Sequence, residues 1–181
     1  MNAIITERLI IRRPKESDLK DFLVYRNDVM NLRFQPIKPI NENYALTLLK
    51  KQMIIDEDIN TGLVMFAIEL KSEKRMIGEV AIYISSDNKS NGDLGWSIHK
   101  DYQGNGYAIE AAKVLLDYAF KHRNLQRVTA TCVSINKASF MLMKHLAMHR
   151  EVNRTNSQFI NGIRYDEHLY TISFEEWTIS N

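Results

Sequence analysis

Hydrophobic positions recur along this chain at two spacings, and the switches between them mark out the elements. Leu9, Ile10, Ile11 and Arg12 read as a short strand stopped by Pro14. Ser17 or Asp18 then suits the cap of a helix carrying Leu19, Phe22, Leu23 and Arg26 at helical spacing. Residues 35–39, with two prolines, break structure. Asn41 opens a second helix that sets Ala45, Leu48, Leu49, Gln52 and Met53 on one face. Residues 62–70 and 76–84 are apolar runs joined by the polar turn 71–75, which predicts a strand pair. A polar loop over 85–93 leads to a strand over 94–98. Residues 107–123 have a helical pattern. Residues 127–133 alternate and are β-branched, which predicts a strand; 137–146 predict a short helix. Asn161-Gly162, between Phe159 and Tyr165, suits a two-residue hairpin turn. Early helices, a run of strands, strand-helix-strand-helix and a hairpin predict an α+β fold around a mainly antiparallel sheet.

Composition narrows the class. The 181 residues are 45% hydrophobic and 25% charged, enough for one domain over residues 1–181 with a real core. No linker, repeat or low-complexity tract interrupts it. The 24 basic and 22 acidic residues nearly cancel, which argues against nucleic-acid binding by bulk charge, and no basic stripe with interleaved aromatics stands out. Cys132 is the single cysteine, so an internal disulfide is excluded. No apolar run reaches membrane-spanning length, and the first residues lack a basic-then-apolar signal pattern. The expectation is a soluble, reduced, cytoplasmic protein without a membrane or nucleic-acid partner.

The chemistry concentrates in Tyr102-Gln103-Gly104-Asn105-Gly106-Tyr107-Ala108, where two glycines precede the strongly helical Ile109-Glu110-Ala111-Ala112. Such a segment presents successive backbone N–H groups, and the helix start adds its positive dipole end. A phosphate or pyrophosphate fits there. A P-loop needs Gly-Lys-Ser/Thr, and this loop has Gly106-Tyr107-Ala108. A dinucleotide fingerprint needs a third glycine where Ile109 stands and an acid at the end of the following strand. The form Gln/Arg-x-x-Gly-x-Gly/Ala is met in full by Gln103, Gly106 and Ala108.

That form resembles the acetyl-CoA pyrophosphate motif of the GNAT acetyltransferase superfamily. The likeness covers nearly the whole chain. Thr6-Glu7-Arg8-Leu9-Ile10-Ile11-Arg12, Asn136-x-x-Ser139, residues 165–170 and Glu176-Trp177 are similar to the branch that includes ribosomal-protein N-terminal acetyltransferases. The resemblance implies a GNAT-like fold whose central parallel strands, here 94–98 and 127–133, splay apart. It implies that acetyl-CoA is the co-substrate; the expectation of no metal rests on the absence of Glu or Cys at metal spacing. Backbone groups of Trp96, Ser97 and Ile98 would hold the pantetheine arm. N–H groups of Gln103, Gly104, Asn105, Gly106, Tyr107 and Ala108 would hold the pyrophosphate. Asn136 would anchor the pantetheine or the acceptor, or serve as a plain helix cap. Ser139 would support the departing thiolate, or bond only to its own helix. A homodimer is common in the family.

Two positions depart from the pattern. Met143 stands where many relatives carry an acidic tyrosine, and Gln158 where the ribosomal branch carries a glutamate base. Glu79, charged in the middle of a strand, is then the candidate base, against the reading that it only faces outward. The acceptor expected is an amine, at a protein N-terminus or on a small molecule. A polyamine acceptor would want acids such as Asp56, Glu57 and Asp58, and a non-catalytic acetyl-CoA-binding regulator is a further alternative. Cys132 reads as core rather than acyl carrier. His145 and His149 lack further ligands at metal spacing. Met141, Met143 and Met148 read first as core filler, with the floor of a substrate site as the alternative.

Overall fold

The computed structural model describes residues 3–56 and 61–180. The strands are β1 (Ile4–Ile5), β2 (Leu9–Arg12), β3 (Gly62–Leu70), β4 (Arg75–Ile84), β5 (Asn91–Ile98), β6 (Arg127–Val133), β7 (His149–Ile160) and β8 (Ile163–Ser173). The helices are α1 (Leu19–Arg26), α2 (Val29–Leu32), α3 (Glu42–Ile54), α4 (Tyr107–Lys121), α5 (Lys137–His145) and α6 (Phe174–Ser180). Among the described residues the strands form one sheet in the order β1-β2-β3-β4-β5-β6-β8-β7. All neighbours are antiparallel except β5 and β6.

The strand alternation divides the interior in two. Along β3, Val64, Phe66 and Ile68 point to one face and Met65 and Ala67 to the other. The first face packs on α4, whose Ala111, Ala112, Leu115, Leu116 and Ala119 are all fully buried. That spacing is the apolar stripe of a helix lying on a sheet. The second face packs on Phe22 and Tyr25 of α1 and Ala45 and Leu49 of α3. Each leucine or phenylalanine among these contributes roughly 1.5–3 kcal/mol by leaving water, and each alanine less. The Asn41 side chain caps α3 by accepting from the Tyr44 N–H at 2.8 Å, as its place before the helix predicts.

Several expectations need correction. Asp18 does not cap α1 with its side chain. It is buried, takes two 2.7 Å bonds from Arg12 and one from the Lys15 N–H, and so ties β2 to the turn before the helix. The loop over 85–93 is shorter than predicted, because β5 starts at Asn91. Met53, expected on the buried face of α3, is 37% exposed. The hairpin around Asn161-Gly162 is far longer than its turn signal. Both turn residues have positive φ, 49° and 84°, as a two-residue turn of this hand requires. Glu57 and Asp58 lie outside the described residues. No helix among the described residues is long and apolar enough to cross a membrane.

Candidate active site

The site begins where two strands part. β5 and β6 pair in parallel only at Asn91–Arg127, Gly92–Val128 and Asp93–Thr129. Beyond that point β5 continues to Ile98 and β6 to Val133 without pairing. The alternation of an antiparallel ladder fixes what β5 offers to the gap. His99 N–H bonds to the Ile77 carbonyl across β4, so 99, 97 and 95 turn their main chain to β4. Trp96 and Ile98 therefore turn theirs toward the opening. The approach of β5 to β4 is close: a Cβ added to Gly78 would lie 2.3 Å from the Ser97 carbonyl oxygen.

The opening runs into the glycine loop. Gly104 and Gly106 have φ of 78° and 80°, a conformation that favours glycine. The Gln103 N–H, expected among the pyrophosphate donors, is already bonded to the Lys100 carbonyl at 3.2 Å, whereas among the described residues none of the N–H groups of residues 104–109 has a hydrogen-bond acceptor. They form a concave set of donors at the start of α4, suited to an anion. The loop is braced from outside. Arg8 donates to the Asn105 carbonyl at 2.8 Å and to Glu110 at 2.7 Å, and its guanidinium lies 4.6 Å from the Tyr107 ring centre. Thr6 also donates to Glu110. Burial opposes ionisation of Glu110, but the hydrogen bonds from Thr6 and Arg8 and the Arg8 charge outweigh it and hold its carboxyl below the usual range.

A cleft of about 500 Å³ joins these parts. It is lined by Trp96, Ser97 and Ile98, by Gln103, Gly104, Gly106, Tyr107 and Ala108, by Asn136 and Ser139 at the start of α5, and by Met30, Asn31, Arg33, Phe34 and Gln35 around α2. Asn136 accepts from the Ser139 N–H at 3.2 Å, so it caps α5 while also lining the cleft. Among the described residues the Ser139 hydroxyl has no hydrogen-bond partner. Asn105 is not among the lining residues. Its side chain donates to the carbonyls of Tyr102 and Gln103, which holds the loop in shape. The Gln103 amide donates to the Ile98 carbonyl at 2.9 Å and to Asn31 at 2.8 Å.

Glu79 is not brought to the cleft lining. Its carboxylate accepts from the Tyr25 hydroxyl at 2.9 Å and pairs with Arg26 at 2.8 Å beneath α1. That pairing explains a charge in mid-strand. Burial raises its pKa, with Arg26 and Tyr25 working against the rise. Met143 is fully buried in the core. Gln158 donates to Glu167 across the hairpin. Burial, with the Glu167 charge behind it, pushes the Cys132 thiol up to about 11, so it stays protonated and unreactive. Among the described residues no three His, Cys, Asp or Glu side chains cluster as metal ligands would.

The sequence signals missed the α2 wall and the brace at Arg8. Asp28 before Val29 was the available cue for α2, since its side chain caps the Met30 N–H. Nothing local could pair Arg8 with a partner 102 residues away.

Residues 8–149 match the family described as the acetyltransferase (GNAT) domain. The chain belongs to the GNAT acetyltransferase family. It is 30% identical over 174 residues to the uncharacterized N-acetyltransferase YnaD of Bacillus subtilis (strain 168), covering 96% of this chain and 98% of that one. It is 24% identical to the [ribosomal protein uS5]-alanine N-acetyltransferase of Escherichia coli (strain K12), over 97% and 92% of the two chains. A solved GNAT-family acetyltransferase from Bacillus anthracis superposes with a TM-score of 0.85 at 27% identity, covering 96% of this chain and 99% of that one. The GNAT chain described here is an acetyl-CoA-dependent N-acetyltransferase with the mixed, splayed sheet of its family.

Proposed function

We propose that this GNAT enzyme acetylates an α-amino group, at a protein N-terminus or on a small molecule. One observation carries the choice of acceptor: among the described residues, no Asp or Glu lines the cleft. A free α-amine has a pKa of about 7.7–8.0, so a fair fraction is already unprotonated near neutral pH. A lysine or polyamine nitrogen, at about 10.4, needs a base or costs roughly 3.5 kcal/mol more than an α-amine to deprotonate at neutral pH. The cleft's ionisable lining consists of Arg33, Tyr102, Tyr107 and His145, which do not suit a polycation. Asp56, the described member of the acids considered for a polyamine, is exposed and outside the lining. Similarity to the uS5-alanine acetyltransferase supports a protein N-terminus as one acceptor of this kind.

The unpaired donors of residues 104–109 would hold the pyrophosphate, and the main chain of Trp96 with the N–H of Ile98 the pantetheine amides. The amine nitrogen attacks the acetyl carbonyl carbon, the carbon–sulfur bond breaks, and the amine proton passes to water. The Ser139 hydroxyl and the Ala138 N–H at the start of α5 support the thiolate that leaves. Asn136 fixes that helix start as its cap. Glu79 in this reading holds α1 to the sheet and does not act as base.

A thiol-release assay with acetyl-CoA and a pooled panel of N-terminal peptides, free amino acids and polyamines tests the proposal, read beside calorimetric acetyl-CoA binding. Turnover confined to α-amines supports it. Turnover on polyamines sinks it. Binding without turnover on any acceptor returns the regulator reading.

A further inference from the structure

Helix α2 is four residues long and has no buried residue. A helix so short does not hold itself together, and no core contact fixes it. Yet residues 30–35 form one wall of the cleft. Their position rests on side-chain bonds, and Asn31 makes most of them. Its amide donates to the Tyr25 carbonyl at the end of α1 at 3.0 Å and to the Ile98 carbonyl at the end of β5 at 3.2 Å. Its oxygen accepts from the Gln103 amide at 2.8 Å. Lys100, just before the glycine loop, pairs with the α2 cap Asp28 at 3.4 Å. Gln103 itself bonds the Ile98 carbonyl, so that oxygen already takes two donors and its lone pairs are used. Of the Ile98 backbone groups expected to meet the pantetheine, the N–H is the one left without a side-chain partner.

We propose that Asn31 is a positioning residue that couples the glycine loop to the α2 wall, so that loading the loop with acetyl-CoA orders the acceptor side of the cleft. The proposal rests on the reading of residues 104–109 as the cofactor loop. An anion held by those N–H groups restricts the loop that begins at Gln103. Gln103 then fixes Asn31, and Asn31 fixes a helix with no other anchor in the core. Asn31 does not touch the reacting atoms in this account.

Hydrogen exchange read by mass spectrometry, with and without saturating acetyl-CoA, tests it on the whole chain. In the wild type, acetyl-CoA is expected to slow exchange both at 104–109 and at 29–35, by about fivefold or more at the latter, the worth of one ordered hydrogen bond. In Asn31→Ala the slowing at 104–109 persists, while that at 29–35 falls below about twofold. Gln103→Ala cuts the same link from the loop side and covers the case in which Asn31→Ala does not fold. A merely structural Asn31 would raise exchange at 29–35 equally with and without ligand, so the ligand dependence is the deciding readout. Wild-type slowing at 104–109 alone, or unchanged slowing at 29–35 in both variants, overturns the coupling. No slowing at 104–109 in the wild type, with no calorimetric heat, overturns the cofactor-loop reading instead.

Discussion

The two faces of the sheet are built to different standards. On the face of α4, the core runs without a break from Leu9 and Phe66 through Ile82 and Leu115 to Val128, Met143 and Trp177. On the face of α1 and α3, a small cluster of Phe22, Tyr25, Ala45, Leu49, Met65, Ala67 and Met76 suffices. Beyond it that face is bare, with Leu63 and Tyr83 each 48% exposed. The glycine loop and the start of α5 hang on the thick core, and α2 hangs on the edge of the thin one. In the proposed reading, acetyl-CoA meets the thick-cored side, and the acceptor meets elements that few buried contacts constrain.

The largest test of that contrast is a pair of truncations. Leu115→Ala opens a cavity in the thick core, where neighbours on all sides prevent collapse, and is expected to cost about 4 kcal/mol in urea unfolding. Leu49→Ala, in the thin cluster, is expected to cost about 2–3 kcal/mol, because α3 can settle inward. Calorimetry should find acetyl-CoA affinity weakened in the first and nearly unchanged in the second. Equal effects on both properties would erase the distinction between the faces.

Gly78→Ala probes the seam where the faces meet the site. The new methyl would lie 2.3 Å from the Ser97 carbonyl and 3.0 Å from the Ile98 Cα, so backbone must move. The expected cost is about 1–3 kcal/mol. Because the displaced segment is the splayed end of β5, acetyl-CoA affinity is expected to fall about tenfold, or 1.4 kcal/mol. A drop in melting temperature with intact affinity would place the pantetheine contacts off β5.

What could be read in the sequence follows the same division. The glycine loop, the Asn41 cap, the Asn161-Gly162 turn and the α4 stripe are local patterns, and each appears where the sequence predicts it. β7 escaped because 149–159 holds no apolar alternation, and nearly all of it is exposed on both faces. α2 is barely one turn long, too short for a helical spacing to repeat. The partners of Glu79 were not legible because Tyr25 and Arg26 stand more than fifty residues away. A mid-strand carboxylate signals a partner, and the sequence does not say whether that partner is a substrate or an arginine.

Ser139→Ala tests the junction of α5 with the cleft. The hydroxyl is partnerless among the described residues, and the Asn136 cap uses only the Ser139 backbone N–H. Helix capping should therefore survive the change. Loss of one hydrogen bond to the leaving thiolate predicts a fall in kcat of about tenfold. The KM for acetyl-CoA should hold. An unchanged kcat would leave the Ala138 N–H at the α5 start as the thiolate's support.

The smallest effect concerns the outer strap of the thick side, where Thr6 and Arg8 reach over the glycine loop to Glu110. Glu110→Gln keeps the size of the side chain and removes the charge that Arg8 pairs with. Arg8 is 41% exposed, so solvent screens the pair and the expected loss at pH 7 is about 1 kcal/mol or less. The sign with pH is fixed by the direction of the shift. A carboxyl held below its ordinary value in the folded chain binds its proton more readily when unfolded, so its contribution is complete above the ordinary value of about 4.3. It fades as pH falls through the lowered folded value. Urea unfolding of the wild type and Glu110→Gln at pH 7, 5 and 3 should then show a constant gap that closes only at the acid end. A gap that widened on acidification would mean that Glu110 is strained by the strap, and that Arg8 serves the bound phosphates rather than the fold.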